Sequence, residues 1–216
     1  MEQLDFKKAV ENLRHTGFSP TPDKVFISIP DARGYLERGL AYFVGERYTW
    51  LPEYEKVAQW LSNNNGKGLL CFGNCGRGKS VICGKIIPLL LNHYHHKVVS
   101  CYDAQTMNND IDDVKRKHII YIDDIGIENV SIKFGEKRLA FPEIVDEAEK
   151  KGKLLIITTN LSLAEIEQKY GERTKDRLLA IVDNVLFKGK SLHNFLNSLF
   201  NFLSIEITRI EASFLV

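Results

Sequence analysis

The hydrophobic pattern of this chain alternates short apolar runs with amphipathic segments. Five apolar runs have the length of buried β-strands, and they cover residues 69–72, 97–101, 118–122, 153–157 and 181–187. Helical periodicity falls between them, most clearly at 81–91, 141–151 and 162–170. Strands that alternate with helices predict a parallel sheet with helices on both faces. We therefore expect an α/β fold with three layers.

The region before the first apolar run is expected to be helical in part. A short amphipathic helix is predicted at 4–13, followed by a stretch that proline and glycine interrupt. Residues 34–62 are rich in aromatic side chains, and Leu51-Pro52 is a typical helix start. Aromatic side chains at helical spacing usually pack in a core. Stacking on adenine or on single-stranded bases is their functional interpretation.

Residues 73–80 read Gly-Asn-Cys-Gly-Arg-Gly-Lys-Ser and connect a predicted strand to a predicted helix. This pattern is the phosphate-binding P-loop, in which backbone N–H groups and a helix N-terminus surround a phosphate. Lys79 is expected to reach the β- and γ-phosphates, and the Ser80 hydroxyl is expected to bind Mg²⁺. A glycine-rich turn without a ligand is the other interpretation. The predicted nucleotide contacts are Gly73, Asn74, Cys75, Gly76, Arg77, Gly78, Lys79, Ser80 and Val81.

Two acidic residues, Asp123 and Asp124, follow the apolar run that begins at Ile119. The carboxyl end of this strand faces the same edge of a parallel sheet as the P-loop, where Mg²⁺ would lie. We expect Asp123 to hold the ion together with Ser80, and Asp124 to polarise an attacking water as general base. A capping turn is the structural alternative.

The next predicted strand ends in Thr-Thr-Asn160, and a basic helix follows it. The Asn160 amide is placed to bond the attacking water or the γ-phosphate, or else to cap the following helix. Arg173 and Arg177 are four residues apart and share a helix face. A solvated face is their ordinary interpretation. An arginine finger that acts on a neighbouring subunit is the functional one, and it requires an oligomer.

Composition restricts the class of protein only loosely. The 216 residues are 44% hydrophobic and carry a net charge of +1, so no overall field indicates a nucleic-acid or membrane partner. The four cysteines fit neither a zinc pattern nor a disulfide framework, and we expect buried, reduced thiols. No signal peptide and no membrane-spanning run is visible. A cytoplasmic location is therefore predicted.

Four segments of the chain, taken together, resemble the AAA+ ATPases. Within them the likeness is to the DnaC/IstB-like group of bacterial helicase loaders and insertion-sequence transposition helpers. It covers roughly residues 45–193, and Gly-Glu-Arg-x-x-Asp-Arg-Leu soon after Thr-Thr-Asn points to this branch. The matching segments are Gly73–Ser80, Tyr121–Gly126, Thr158–Ser162 and Tyr170–Leu178.

This resemblance implies a P-loop NTPase sheet of order 5-1-4-3-2 without a full lid domain. By position, Lys79 and Ser80 form the Walker A pair, and Asp123 and Asp124 the Walker B pair. Asn160 becomes the first sensor. The resemblance also makes Arg177 the first candidate for the arginine finger and Arg173 the second.

Two residues depart from the family pattern. The second acid is often glutamate, and Asp124 is one methylene shorter. An arginine usually stands where this chain has His193, which is shorter and mostly neutral at pH 7. The expected organisation is an N-terminal, partly helical extension at 1–45, the ATPase domain at 46–193, and an apolar C-terminal tail at 194–216 without an assigned role.

The function expected from these features is ATP binding, with hydrolysis that loads or remodels a replicative helicase or a transposase on DNA. ATP and Mg²⁺ are the expected cofactors. Single-stranded DNA is a further candidate partner, as is a homo-oligomer in the ATP-bound state, whereas a membrane is not. Asp124 and His193 motivate an alternative, a nucleotide-gated adaptor with little hydrolysis. A small-molecule P-loop kinase is a third possibility, against which Thr158-Thr-Asn argues.

Overall fold

The structure, a computed structural model, describes residues 5–14, 16–17, 22–45, 48–128, 131–133 and 136–191, with only the backbone described at 131–133 and 136–138. The predicted tail at 194–216 and the predicted sensor position His193 lie outside these residues. In chain order the elements are α1 (Phe6–Arg14), α2 (Ala32–Val44), α3 (Pro52–Ser62), β1 (Gly68–Gly73), α4 (Lys79–Val81), a π-helical turn (Ile82–Ile86), α5 (Ile87–His95), β2 (Ser100–Asp103), α6 (Ala104–Asn109), α7 (Ile111–Val114), β3 (Ile119–Ile125), β4 (Ser131–Lys133), β5 (Glu136–Arg138), α8 (Ala140–Lys151), β6 (Leu154–Thr159), α9 (Leu163–Tyr170), α10 (Glu172–Ile181) and β7 (Val182–Phe187).

Five strands form one parallel sheet in the order β2-β3-β6-β1-β7. Counted along the chain within this sheet, the order is 5-1-4-3-2 from the β7 edge, as predicted. The remaining two strands, β4 and β5, pair antiparallel in a hairpin that the apolar pattern did not predict. Since β6 lies between β1 and β3, the carboxyl ends of these three strands meet at one edge.

Helices cover both faces of the sheet, as expected for strands that are apolar throughout. One buried cluster joins α2, α3 and the helix after the P-loop to β1. The other joins α6 to α10 to the opposite face of the sheet. Among the aromatic residues before β1, Tyr54 and Trp60 are buried in the core, whereas Tyr42 is 82% exposed.

Part of the predicted N-terminal extension contributes to this core. Ile27, Ile29, Leu36 and Leu40 are buried in the same cluster as β1. The buried side chain of Asn64 fixes this segment, because its Oδ1 accepts a hydrogen bond from the Ile27 amide at 2.8 Å. Residues 27–40 therefore pack into the same core as β1, although the sequence pattern assigned them to an extension.

All four cysteines are free, as predicted, but only two of them are buried. Cys71 and Cys83 pack behind the P-loop, and Cys75 and Cys101 are exposed, which corrects the expectation of four buried thiols. Within the described part of the chain, no helix is both long and apolar enough to cross a bilayer.

Candidate functional site

The P-loop has the strand-loop-helix context that its sequence predicts. Strand β1 ends at Gly73, and α4 begins at Lys79. Gly73, Gly76 and Gly78 have φ of 109°, 71° and 84°, values that favour glycine. The loop thus turns back on itself between the strand and the helix and directs the N-terminus of the helix toward the carboxyl edge of the sheet.

Lys79 is buried, and its ammonium group spans the loop. It donates hydrogen bonds to the backbone oxygens of Gly73 at 2.7 Å and Asn74 at 2.8 Å. A third bond reaches Asn160 Oδ1 at 3.0 Å. Burial lowers the pKa of Lys79, and nearby negative charge, including that of Asp124, opposes the shift. A phosphate would give this ammonium a charged acceptor.

Asp123 accepts three hydroxyl hydrogen bonds on one oxygen. The donors to Asp123 Oδ1 are Ser80 Oγ at 2.8 Å, the Tyr121 hydroxyl at 2.6 Å and Thr158 Oγ1 at 2.5 Å. Tyr121 fits under the P-loop helix because the facing residue is Gly84, whose Cβ would lie 2.7 Å from the Tyr121 ring. The sequence indicated Asp123 and Ser80 but assigned no role to Tyr121 or Thr158.

Asp124 lies at an irregularity of β3, where the pairing with β6 shifts between Ile122 and Ile125. Its φ is 52°, and its backbone N–H donates to Thr158 Oγ1 at 3.0 Å. Burial raises the pKa of the Asp124 carboxyl, and the charge of Asp123 raises it further. The strand therefore presents two adjacent carboxylates at its end, and the capping-turn alternative does not describe them.

Asn160 joins Lys79 to Asp124. Its Oδ1 accepts from Lys79 Nζ, and its Nδ2 donates to Asp124 Oδ1 at 3.0 Å. The capping alternative is wrong here, because α9 has Ser162 as its N-cap, in a capping box with Glu165. The amide of Asn160 is thus directed toward the acid pair and the P-loop lysine.

Ser80 and Asp123 together fit a magnesium site. Their oxygens are 2.8 Å apart at the start of the P-loop helix, and hydroxyl and carboxylate oxygens are ligands that Mg²⁺ accepts. Magnesium in nucleotide sites commonly takes one or two protein ligands and completes its shell with phosphate and water. Among the described residues, no group of three or more His, Cys, Asp or Glu side chains is arranged to hold a metal.

The two arginines proposed as fingers lie on α10 and pair with acids on α8. Arg177 contacts Asp146 through Nη1 and Glu149 through Nε at 3.3 Å. Arg173 is 79% exposed in its side chain and approaches Asp146 only at 3.9 Å. In the described part of the chain, both arginines therefore have their ionic partners on α8 and not in the P-loop.

Arg77 differs from the other predicted nucleotide contacts, because its side chain points into the protein. Its guanidinium pairs with Glu53, with Nε and Nη2 at 2.6 and 2.5 Å from Oε1. A contact between Arg77 and a phosphate would therefore come from its backbone. Glu53 was not predicted, and its signal in the sequence is only an acid after Leu51-Pro52.

Comparison with known proteins identifies the family of this chain. The family profile described as Novel STAND NTPase 3 (nSTAND3) matches residues 48–191, which include every described element of the site. The chain belongs to this nSTAND3 family. A search of curated proteins found no significant match.

Solved structures show that the fold of this nSTAND3 protein is that of AAA+ P-loop domains. The DnaC helicase loader is similar with a TM-score of 0.54 and 16% identity, covering 70% of this chain and 99% of that one. Domain III of the Thermotoga maritima replication initiation protein DnaA has a TM-score of 0.51 and 15% identity, covering 74% and 68%. The predicted resemblance to DnaC-like AAA+ proteins is therefore confirmed at the level of the fold.

Proposed function

We propose that this nSTAND3 protein is a magnesium-dependent ATPase that loads or remodels a replicative helicase or a transposase on DNA. The observation that carries the proposal is the position of Asn160 between Lys79 and Asp124. It links the phosphate-binding loop to the proposed base. The similarity of the fold to the DnaC helicase loader supports the choice of a helicase over other protein partners.

In the proposed reaction each polar side chain has one task. Lys79 binds the β- and γ-phosphates, and Ser80 and Asp123 hold the magnesium ion, which neutralises phosphate charge when bound. Asp124 accepts a proton from water, whose oxygen bonds to the γ-phosphorus as the bond to the bridging oxygen breaks and ADP leaves. Asn160 orients this water.

Nucleotide binding and hydrolysis are tested by the substitution Lys79→Ala. Its matched control is Lys85→Ala, which removes an exposed lysine from the same helical segment. We expect Lys79→Ala to weaken binding of a fluorescent ATP analogue at least about tenfold and to abolish hydrolysis, since the loop loses its ammonium. Equal ATP affinity in both variants would contradict the proposal.

The partner is tested by capture on immobilised protein with a non-hydrolysable ATP analogue. A purified replicative helicase and a purified transposase from the same cell are offered separately, with wild type and Lys79→Ala. Helicase retention that depends on nucleotide supports the loader function, and transposase retention supports the transposition function. Stimulation of hydrolysis by single-stranded DNA would identify the nucleic-acid partner.

A cytoplasmic location and a homo-oligomer in the ATP-bound state are further parts of this proposal.

A nucleotide-gated adaptor with little hydrolysis is the second candidate. It is favoured by Asp124, since this aspartate is one methylene shorter than the glutamate that often stands there, which shortens its reach to an attacking water. The contacts of Arg177 also favour the adaptor function, because both of its carboxylate partners are in its own chain. Nucleotide-dependent partner capture without ATP turnover would identify this function.

A further inference from the structure

The guanidinium of Arg77 and the carboxylate of Glu53 form a buried ion pair behind the P-loop. Each residue is 7% exposed, and two nitrogens of Arg77 contact Glu53 Oε1. Glu53 lies in the first turn of α3, whose N-terminus also favours its negative charge. The positive charge of Arg77, although it lies in a phosphate-binding loop, is therefore neutralised by the Glu53 carboxylate and is not available to a bound phosphate.

The same helix holds the backbone of Arg77. The hydroxyl of Tyr54, the neighbour of Glu53, donates a hydrogen bond to the Arg77 carbonyl oxygen at 3.0 Å. Tyr54 is buried, and burial raises its pKa to about 12, so it remains a donor at neutral pH. The side chain and the backbone carbonyl of Arg77 are thus held by two successive residues of α3, Glu53 and Tyr54.

The chain after β7 fixes the opposite side of the loop. Arg77 Nη1 donates to the Lys190 carbonyl oxygen at 3.1 Å, and Asn74 Nδ2 donates to the Gly189 carbonyl oxygen at 2.7 Å. The backbone N–H of Asn74 also donates to the Phe187 carbonyl oxygen at 2.8 Å. Gly189 has a φ of 136°, and a Cβ there would lie 2.6 Å from Arg77 Nη1. A side chain at this position would push the guanidinium away.

We propose that Glu53 and Arg77 are positioning residues that hold the P-loop in its phosphate-binding conformation. Removing one partner leaves a buried charge unpaired, whereas replacing both with apolar residues of similar volume is often neutral for stability. The pair is then required for loop geometry more than for folding, because an apolar pair cannot bond Lys190 O. This inference rests on the proposed nucleotide-binding function.

The test compares Glu53→Met, Arg77→Met and the double variant with an exposed control pair. The control is Arg33→Met with Glu55→Met, since Arg33 Nη1 and Glu55 Oε2 are 3.2 Å apart and Glu55 is also on α3. Three quantities are measured for each protein. They are the Tm, the amide exchange of peptides spanning 73–80 without nucleotide, and the Kd of a fluorescent ATP analogue.

We expect each single variant to lose stability and affinity. In the double variant the Tm returns toward that of wild type, while the P-loop amides exchange faster and the ATP analogue binds roughly tenfold more weakly. The control pair leaves the exchange and the Kd unchanged. Wild-type exchange and affinity in the double variant would overturn the inference, because the pair would then contribute to stability alone.

Two further measurements keep this inference separate from the proposed function. If wild type binds no nucleotide, the proposed function fails, and the exchange of the nucleotide-free P-loop still decides whether the pair positions it. If the double variant does not fold, Arg77→Lys replaces it, since lysine keeps the charge but lacks the planar fork that reaches both Glu53 and Lys190 O. Weaker ATP binding with faster P-loop exchange in Arg77→Lys supports the inference, and wild-type values for both overturn it.

Discussion

The side-chain amide of Asn160 donates a hydrogen bond to Asp124 Oδ1 at 3.0 Å. The carbonyl end of the same amide accepts from Lys79 Nζ. An asparagine is suited to this position because it has a donor and an acceptor on one planar group and carries no charge. The orientation of the Asp124 carboxylate therefore depends on a residue that also senses the P-loop lysine.

Replacing Asn160 with aspartate is expected to separate hydrolysis from nucleotide binding. The new carboxylate still accepts from Lys79, but it has no donor for Asp124 and adds a third negative charge beside the acid pair. We expect steady-state ATPase assays of Asn160→Asp to show kcat reduced by about 10²-fold, with a much smaller change in the Kd for ATP.

Asn109→Asp, at an exposed position on α6, is the control for Asn160→Asp and should leave both quantities unchanged. An equal loss of ATP affinity and of kcat in Asn160→Asp would mean that Asn160 mainly supports binding and not the acid pair.

On acidification, kcat for ATP hydrolysis should begin to fall at a higher pH than it would if the base were an aspartate of ordinary pKa. Asp124 must be ionised to act as base, and burial together with Asp123 raises its pKa above 3.8. The pH–rate profile of kcat is therefore expected to have an acid limb above pH 3.8, one that Asp124→Asn removes along with most of the activity. A profile that is flat down to an ordinary aspartate pKa would contradict this assignment.

Asp124→Asn is also expected to raise the Tm at neutral pH. A carboxyl whose folded-state pKa is raised binds its proton more tightly in the folded protein than in the unfolded chain. Stability is thus lost as pH rises from 3.8 through the raised value, and above it ionised Asp124 destabilises the fold. Asparagine keeps the acceptor for Asn160 without the charge. Calorimetry at neutral pH measures the gain, and a lower Tm than wild type would contradict it.

The two arginines of α10 are expected to give different phenotypes. Arg177 must leave two carboxylates to act on a neighbouring subunit, whereas exposed Arg173 has only a 3.9 Å contact to leave. Arg177→Ala should therefore lower the free energy of unfolding by about 0.5–1 kcal/mol, while Arg173→Ala leaves it unchanged. If Arg173 is the finger, Arg173→Ala lowers kcat by on the order of 10³-fold.

A mixing experiment tests whether an arginine acts between subunits. Asp124→Asn keeps Arg173 but lacks the base, and Arg173→Ala keeps the base. Two inactive proteins that regain ATPase activity when mixed have an arginine that works in trans. The absence of recovery, in mixtures shown to co-assemble, would exclude a finger at Arg173.

The loop after the acid pair is anchored by a buried carboxylate, and its loss should reduce stability. Glu128 accepts from the Gly126 amide at 2.7 Å and from the Tyr170 hydroxyl, at the end of α9. Tyr170→Phe is expected to lower the free energy of unfolding in urea by about 1–3 kcal/mol, because the buried carboxylate loses a donor. Tyr42→Phe, at an 82% exposed tyrosine, is the control. Equal stability of the two variants would mean that Glu128 finds a replacement donor.

The central strands of the main sheet could be predicted because their side chains are buried on both faces along most of their length. Runs such as 118–122 and 153–157 are apolar at nearly every position, and β3 and β6 occupy them with bounds shifted by a few residues. The apolar run at 118–122 did not predict that β3 continues through its two aspartates to Ile125. The two aspartates are only partly buried, whereas Ile125 is buried again and pairs with Thr159 of β6 after the irregularity.

The site was predicted where chemistry and position in the chain coincide. Lys79, Ser80 and Asn160 come after the ends of β1 and β6, and Asp123 lies near the carboxyl end of β3; the parallel sheet brings these ends together. Tyr121 and Glu53 could not be predicted in the same way. Tyr121 lies inside an apolar strand, and the role of Glu53 depends on which side chain, distant in sequence, lies beside it.

The sequence by itself determined the nucleotide-binding loop, the order of the strands and the residue types of the site. These follow from local spacing, from burial on both faces of a parallel sheet and from the resemblance to AAA+ proteins. Only the tertiary structure decided which side chains form hydrogen bonds or ion pairs with one another. Arg77 turns inward to Glu53 and away from the expected phosphate, because a buried carboxylate 24 residues earlier in the chain offers it a fixed partner. Hydrogen bonds and ion pairs of this kind depend on distances of a few ångströms between segments far apart in sequence, and a linear pattern contains no such distances.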